Sequence, residues 1–266
     1  MRPKPLAYAL AIVFGLIGCG PKDSKAADAT TTTGSTAGKE GATVKPPVTA
    51  LKVDIVKEGK GAPAANGDTI WVLYSGKLGN GMEFDSTSKR NDTPFAVQLG
   101  GGAVIKGWEQ GLIGMKEGGE RNLSIPYMLA YKEQGQGDTI PPKSDLFFNI
   151  KAVALVKANE ANLVDVTEKK VGQGQAAKKG DKVTVSYVGT LPTGTEFDST
   201  KKHGKDVTFT LGKDEVIPGL EAGVMGMKVG GERYLKVPPA KGIPQGTDIV
   251  PANSVIFFDV TLKKIG

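Results

Sequence analysis

Val104-Ile105-Lys106-Gly107-Trp108-Glu109-Gln110-Gly111-Leu112 is the stretch around which the chain is organised. It returns near the C-terminus as Val216-Ile217-Pro218-Gly219-Leu220-Glu221-Ala222-Gly223-Val224. In both places Leu-Gly stands a few residues earlier (Leu99-Gly100, Leu211-Gly212), and Gly-Gly-Glu-Arg follows (Gly118 to Arg121, Gly230 to Arg233). Ile105, Trp108 and Leu112 fall at i, i+3 and i+7, the spacing of one apolar face of a short helix. A helix of two turns does not hold in water by itself, so it must lean on a sheet. A bulky indole therefore sits on a short helix, underneath something.

Working outward, the match extends well beyond the helix. Tyr74-Ser75-Gly76 answers Tyr187-Val188-Gly189, and Glu83-Phe84-Asp85-Ser86-Thr87 answers Glu196-Phe197-Asp198-Ser199-Thr200, both 113 residues apart. Val104 and Val216 differ by 112, Phe148 and Phe258 by 110, so only loop lengths have drifted. A period of this size is a duplicated domain, not a solenoid. Strand signals dominate each copy. Lys52 to Val56 and Val183 to Tyr187 alternate, Leu146, Phe148 and Ile150 share one face, and so do Ile256, Phe258 and Val260. Asn80-Gly81 reads as a type I′ hairpin turn, with Pro192-Thr193-Gly194 at the same place in the second copy. The expectation is α+β: two tandem domains, each a twisted antiparallel sheet of about five strands with one short helix. Their bounds are 51–155 and 163–266, and the polar run 156–162 reads as a linker that permits relative domain motion.

Composition narrows the function classes. Apolar residues at 39% suffice for ordinary cores, while 37 Gly and 16 Pro imply many turns. The net charge is +6, but the first copy is balanced at 12 basic and 12 acidic residues and the second carries 15 and 12. That is too even for a nucleic-acid footprint. One cysteine excludes an internal disulfide, and with His203 as the sole histidine there is no ligand cluster for a metal and no His-based triad. The bland reading of His203 is a turn residue.

The N-terminus reads as an address. Met1 to Lys4 is basic, Leu6 to Gly18 is an apolar run, and Cys19 is the only thiol. The run is too short to span a bilayer but suits a secretory signal, residues 1–18. Leu16-Ile17-Gly18-Cys19 resembles the bacterial lipobox, in which the cysteine becomes lipidated after cleavage. Gly20 behind it resembles lipoproteins passed on to the outer membrane of Gram-negative cells. Residues 19–50, rich in Thr, Gly, Ala and Lys without apolar periodicity, read as a disordered tether. The expected location is a bacterial cell envelope, with membrane attachment through the lipid.

Within the first copy, Tyr74, Phe84, Phe95, Trp108, Tyr131 and Phe148 are aromatic, Val104, Ile105 and Ile140 are aliphatic, and Asp85 is the carboxylate set among them. Aromatics are more often core than pocket. Tyr131, however, stands in a polar Gly-rich loop and Phe95 follows a proline, positions unusual for core residues.

The ordered series Tyr74-Ser75-Gly76, Phe84-Asp85-Ser86, Pro94-Phe95, Leu99-Gly100, Val104 to Trp108, Ile125-Pro126, Leu129-Ala130-Tyr131, Ile140-Pro141-Pro142 and Leu146-Phe147-Phe148 resembles the FKBP-type peptidyl-prolyl cis/trans isomerases, the macrolide-binding immunophilins. The resemblance implies rotation about Xaa-Pro bonds of unfolded or envelope proteins, without metal or cofactor, and binding of macrolide inhibitors. It makes Trp108 the pocket floor, Tyr74, Phe84, Val104, Ile105 and Phe148 the walls, and Phe95 and Ile140 the rim. The Ile105 N–H and the Tyr131 hydroxyl would bond substrate carbonyls, and Asp85 would pair with Tyr74 near the amide. In the second copy Tyr187, Phe197, Asp198, Val216, Ile217 and Phe258 are kept. Leu220, Val207 and Ile243 replace the floor Trp, the rim Phe and the loop Tyr, which points to a weaker second pocket. The alternative is a non-catalytic chaperone or scaffold that uses such domains to bind partners.

Overall fold

A computed structural model describes residues 45–266. The expected signal segment, Cys19 and most of the expected tether lie outside the described residues. The first domain comprises β1 (Lys52–Lys57), β2 (Thr69–Leu78), β3 (Glu83–Ser86), β4 (Phe95–Gln98), α1 (Lys106–Leu112), β5 (Glu120–Ile125) and β6 (Leu146–Val156). The second comprises β7 (Asp165–Lys170), β8 (Gln173–Ala176), β9 (Lys182–Thr190), β10 (Glu196–Ser199), β11 (Val207–Thr210), α2 (Pro218–Val224), β12 (Lys228–Val229), β13 (Glu232–Val237) and β14 (Ile256–Ile265).

Each domain is one antiparallel sheet with its helix laid across it. The first runs β1-β5-β6-β2, and β3 and β4 share the far side of β2, opposite Ser75–Lys77 and Thr69–Val72 respectively. The second repeats this as β7-β13-β14-β9 with β10 and β11 beyond β9, and adds a small β8–β12 ribbon. α1 packs on β5 so closely that its glycines are obligatory. A Cβ on Gly111 would stand 2.6 Å from Leu123 Cδ1, and one on Gly107 would collide with Ile125. Gly219 and Gly223 meet Val237 and Leu235 of β13 in the same way. Leu112, Leu123, Ile125, Leu146 and Ile150 close the first core; Val224, Leu235, Val237, Ile256 and Leu262 close the second.

Four local expectations change. β1 alternates in sequence yet buries no face, with Ile55 and Val56 both 54% exposed, because it is the edge strand of the sheet. At the Asn80-Gly81 turn Gly81 has φ 85° and Asn80 does not adopt a positive φ, which rules out type I′. The Gly81 N–H donates to Leu78 O and the Leu78 N–H to Met82 O, a three-residue loop with its glycine in the left-handed position. The last tether residues are tied down: the Lys45 N–H donates to Gly79 O, its ammonium lies 4.0 Å over the Phe147 ring, and the Val48 N–H donates to Asp145 at 2.7 Å.

The linker also differs. Its polarity reads as a free spacer, but the Lys157 ammonium pairs with buried Asp68 and donates to Pro63 O at 2.9 Å, and the Ala158 N–H donates to Asp68 at 2.9 Å. Burial pushes the Asp68 carboxyl up, but the Lys157 hydrogen bond, the two backbone donors and the Lys157 charge together hold it below the usual aspartate value. Beside the linker the domains dock through their outward strand faces. Trp71 of β2, Ala154 and Val156 of β6, and Val255 and Phe257 of the second domain form one apolar cluster. The Trp71 indole N–H donates to Asn253 O at 3.1 Å, and Lys236 of β13 donates to Leu155 O at 2.6 Å while pairing with Glu117. Ile70, Trp71 and Val72 are all buried in a row because β2 is covered on both faces.

Trp71→Ala is expected to remove about 3–5 kcal/mol of packing, the range for emptying a buried aromatic site, and to release the domains from each other. Small-angle scattering should record a larger radius while circular dichroism stays unchanged.

Candidate functional site

The helix, four strands and one loop bring the aromatic set together. Trp108, in the first turn of α1, is only 4% exposed, and its ring lies 5.0 Å from Tyr74 and 5.2 Å from Phe148, edge to face in both cases. Phe84 of β3 stands perpendicular to Phe148 at 5.6 Å, and Phe95 at the start of β4 is 6.2 Å from both Tyr74 and Trp108. Such edge-to-face pairs each contribute roughly 0.5–1.5 kcal/mol beyond area burial. Gly76 makes room for them, since a Cβ there would lie 2.7 Å from both Phe148 and Phe84. Trp108, Phe148 and their neighbours thus form a rigid apolar basin, with Tyr74, Phe84, Phe95, Val104, Ile105 and Tyr131 half-buried around it.

The polar groups are few and aimed. The Tyr74 hydroxyl donates to Asp85 Oδ2, and the Arg90 guanidinium reaches both, at 2.8 Å to Asp85 Oδ1 and 2.7 Å to the Tyr74 oxygen. Burial first, then the Asp85 hydrogen bond and charge, push the Tyr74 hydroxyl well above the usual tyrosine range, so it stays a donor. Tyr131 is raised as well, by burial and then by the charge of Asp85. Its hydroxyl donates no hydrogen bond among the described residues, nor does the N–H of Ile105, the residue that caps α1. The Trp108 indole N–H is likewise buried without a partner there. Two donors at the edge of a dry basin are what an extended peptide with two carbonyls requires.

Two residues depart from expectation. Ile140 belongs to the core rather than an open rim: it is 4% exposed, because it bridges to Gln136 and folds the Gly-rich loop back over itself. Arg90 was not singled out in the sequence, although its place five residues after Asp85, with basic residues ending the turn Thr87–Arg90, is a usable signal. Hollows of about 860 Å³ beneath the segment 45–51 and about 910 Å³ at the junction of the domains lie elsewhere. Neither brings together an aromatic basin with free donors.

The second domain repeats the frame with less lining. Tyr187 and Phe197 stand 5.6 and 5.7 Å from Phe258, and the Tyr187 hydroxyl donates to Asp198 at 2.5 Å. Val216 and Ile217 pack beside them, with Ile217 capping α2 as Ile105 caps α1. Leu220 occupies the third helix position in place of Trp108, and Val207 opposes Val185 as Phe95 opposes Val72. Gly242 and Ala130 end their 3₁₀ turns with nearly the same backbone angles, which puts Ile243 where Tyr131 stands.

Two tandem antiparallel sheets, each wrapped over one short helix that carries an apolar basin, define a duplicated α+β protein. The family model of FKBP-type peptidyl-prolyl cis-trans isomerases matches residues 60–153 and again 173–263. The chain belongs to that family. It is 34% identical to the peptidyl-prolyl cis-trans isomerase FKBP10 of Mus musculus over 197 residues, 73% of this chain and 34% of that protein. It is 45% identical to the FK506-binding protein of Neisseria meningitidis over 101 residues, 38% of this chain and 92% of that protein. The chain thus spans about a third of the length of its mammalian relatives. A solved structure, FkpA from Escherichia coli, matches at 38% identity and a TM-score of 0.38, covering 45% of this chain and 54% of that one.

Proposed function

We propose that this chain is a peptidyl-prolyl cis/trans isomerase that assists the folding of envelope or secreted proteins, with turnover mainly in the first domain. The observation that carries the reading is the basin of Tyr74, Phe84, Trp108 and Phe148 with Asp85 and two unengaged donors at its edge. A prolyl bond faces a barrier of roughly 18–20 kcal/mol because amide resonance holds it planar. Twisting the bond abolishes the charge separation of the planar amide, so an apolar basin favours the twisted form over the planar one. No nucleophile is required; tighter binding of the twisted form suffices. In this reading the proline ring rests on Trp108 between Tyr74, Phe84 and Phe148. The Ile105 N–H and Tyr131 hydroxyl hold the flanking carbonyls, and Asp85, held by Tyr74 and Arg90, faces the amide. Macrolides of the kind that bind this family would compete for the same basin.

The second domain has less aromatic surface and Ile243 in place of a hydroxyl donor, which favours holding a chain over turning it. A bacterial envelope location rests on the lipobox-like Leu16 to Cys19 and the tether behind it. Lipid chains contribute about 0.8 kcal/mol per buried methylene, enough with several chains for firm attachment.

The full chain should accelerate a proline-limited refolding reaction without added metal. Tyr131→Phe should lower kcat/KM several-fold, about the effect of one hydrogen bond made chiefly in the twisted state. No acceleration by the wild-type chain would refute the reading. In cells, Cys19→Ala should move the protein from the membrane fraction to the soluble one, and retention of the variant in membranes would remove the anchor from the account.

A further inference from the structure

The two pocket carboxylates are held by different basic side chains. In the first domain Arg90, five residues after Asp85, binds both Asp85 and the Tyr74 oxygen. A guanidinium keeps its charge at any pH at which proteins are folded. Five residues after Asp198 the second domain has His203, whose Nε2 lies 2.7 Å from Asp198 Oδ1. It is the only histidine in the chain. The imidazole engages the carboxylate alone, so the Tyr187 hydroxyl keeps Asp198 as its one partner among the described side chains. The second pocket thus repeats the first with a titratable group in place of a permanent charge.

We propose that His203 is a positioning residue that makes ligand binding in the second pocket depend on pH, tight in mild acid and slack above neutrality. This rests on the reading that the second pocket receives prolyl peptides. A protonated imidazole donates from both nitrogens and carries a unit charge toward Asp198. A neutral one carries none, and in one of its two tautomers it turns a lone pair toward the carboxylate. Burial pushes the Asp198 carboxyl up, but hydrogen bonds from Tyr187 and His203 and the His203 charge hold it below the ordinary aspartate value. The carboxylate therefore stays ionised in neutral and mildly acidic solution, while histidine as a residue type changes charge between pH 5 and 8. The sign follows: the pairing is complete in acid and fades as the imidazole loses its proton.

The other charges near this corner come from two elements. Glu196 of β10 accepts the Ser199 hydroxyl at 2.7 Å and pairs with Lys202 at 3.4 Å. Lys201, whose charge also acts on Glu196, lies in the turn, and Lys205 and Asp206 follow His203 in the chain. Tyr187 is the titratable group that β9 contributes. Lysines, tyrosines and carboxylates as residue types titrate outside the range in which histidine as a residue type changes charge.

The test uses the full chain with the first basin disabled by Asp85→Ala and Phe148→Ala, and an end-blocked Xaa-Pro peptide without ionisable side chains. Its affinity, measured from pH 5.5 to 8.5, should fall by about three- to tenfold, the scale of one charge-assisted hydrogen bond. Adding His203→Arg should give tight binding throughout, and His203→Gln weak binding throughout. His203 is half exposed, so both variants are expected to keep the fold. A flat profile, no binding at pH 5.5, or the same profile in all three chains would overturn the proposal. A chain carrying Phe258→Ala separates this from failure of the isomerase reading: its first pocket, held by Arg90, should turn the peptide over with little change across the range. Turnover there beside a flat second pocket would discard only the role of His203. No turnover there would discard the isomerase reading.

Discussion

The pocket depends on how closely one short helix approaches its sheet. α1 has seven residues and no side-chain cap, so its place is fixed by contact rather than by helix propensity. Gly107 and Gly111 lie one turn apart on the face toward β5 and let the backbone settle against Ile125 and Leu123. Trp108 is thereby delivered beneath Tyr74 and Phe148. Glu109 fastens the other side by accepting the N–H groups of Gly100 at 2.6 Å and Gly102 at 2.8 Å, and Arg121 donates to Gly111 O and Ile113 O beyond the helix end. The quoted Leu-Gly, helix and Gly-Gly-Glu-Arg segments are therefore one mechanical unit. The second domain rebuilds it with Gly219, Gly223, Glu221 and Arg233.

That unit explains why so much was legible in the chain. Residues that must share one face within one element, such as Leu146, Phe148 and Ile150 or Ile105, Trp108 and Leu112, leave a periodic trace. The duplication made each trace visible twice, and the pairing of Tyr74 with Asp85 lies within one hairpin. What was not legible depends on distant partners. Trp71 looks like any strand aromatic until Phe257 and Asn253, more than 180 residues on, cover it. The linker looked free because its charges suggest water, whereas Lys157 closes on Asp68. The alternation of β1 was real, but an edge strand has no layer to bury it.

The docking of the domains gives the duplication a further consequence. With Trp71 and Phe257 joined and Lys236 fastened to Leu155 O and Glu117, the two basins are held at a set separation instead of trailing on a string. On the proposed reading, a chain segment released by one basin would stay near the other, at a raised effective concentration. One basin lined for turnover and one lined for holding would then act on the same client in succession.

The central claim is that the lining, not the shared frame, divides this labour. The most direct measurement compares kcat/KM on one Xaa-Pro peptide for two full-length chains, one carrying Phe148→Ala and the other Phe258→Ala. The account predicts that the first loses most of the wild-type turnover and the second keeps nearly all of it. Equal losses would contradict it, because a basin with Leu220 as its floor and Ile243 in place of a tyrosine would then work as well as one built on Trp108 and Tyr131.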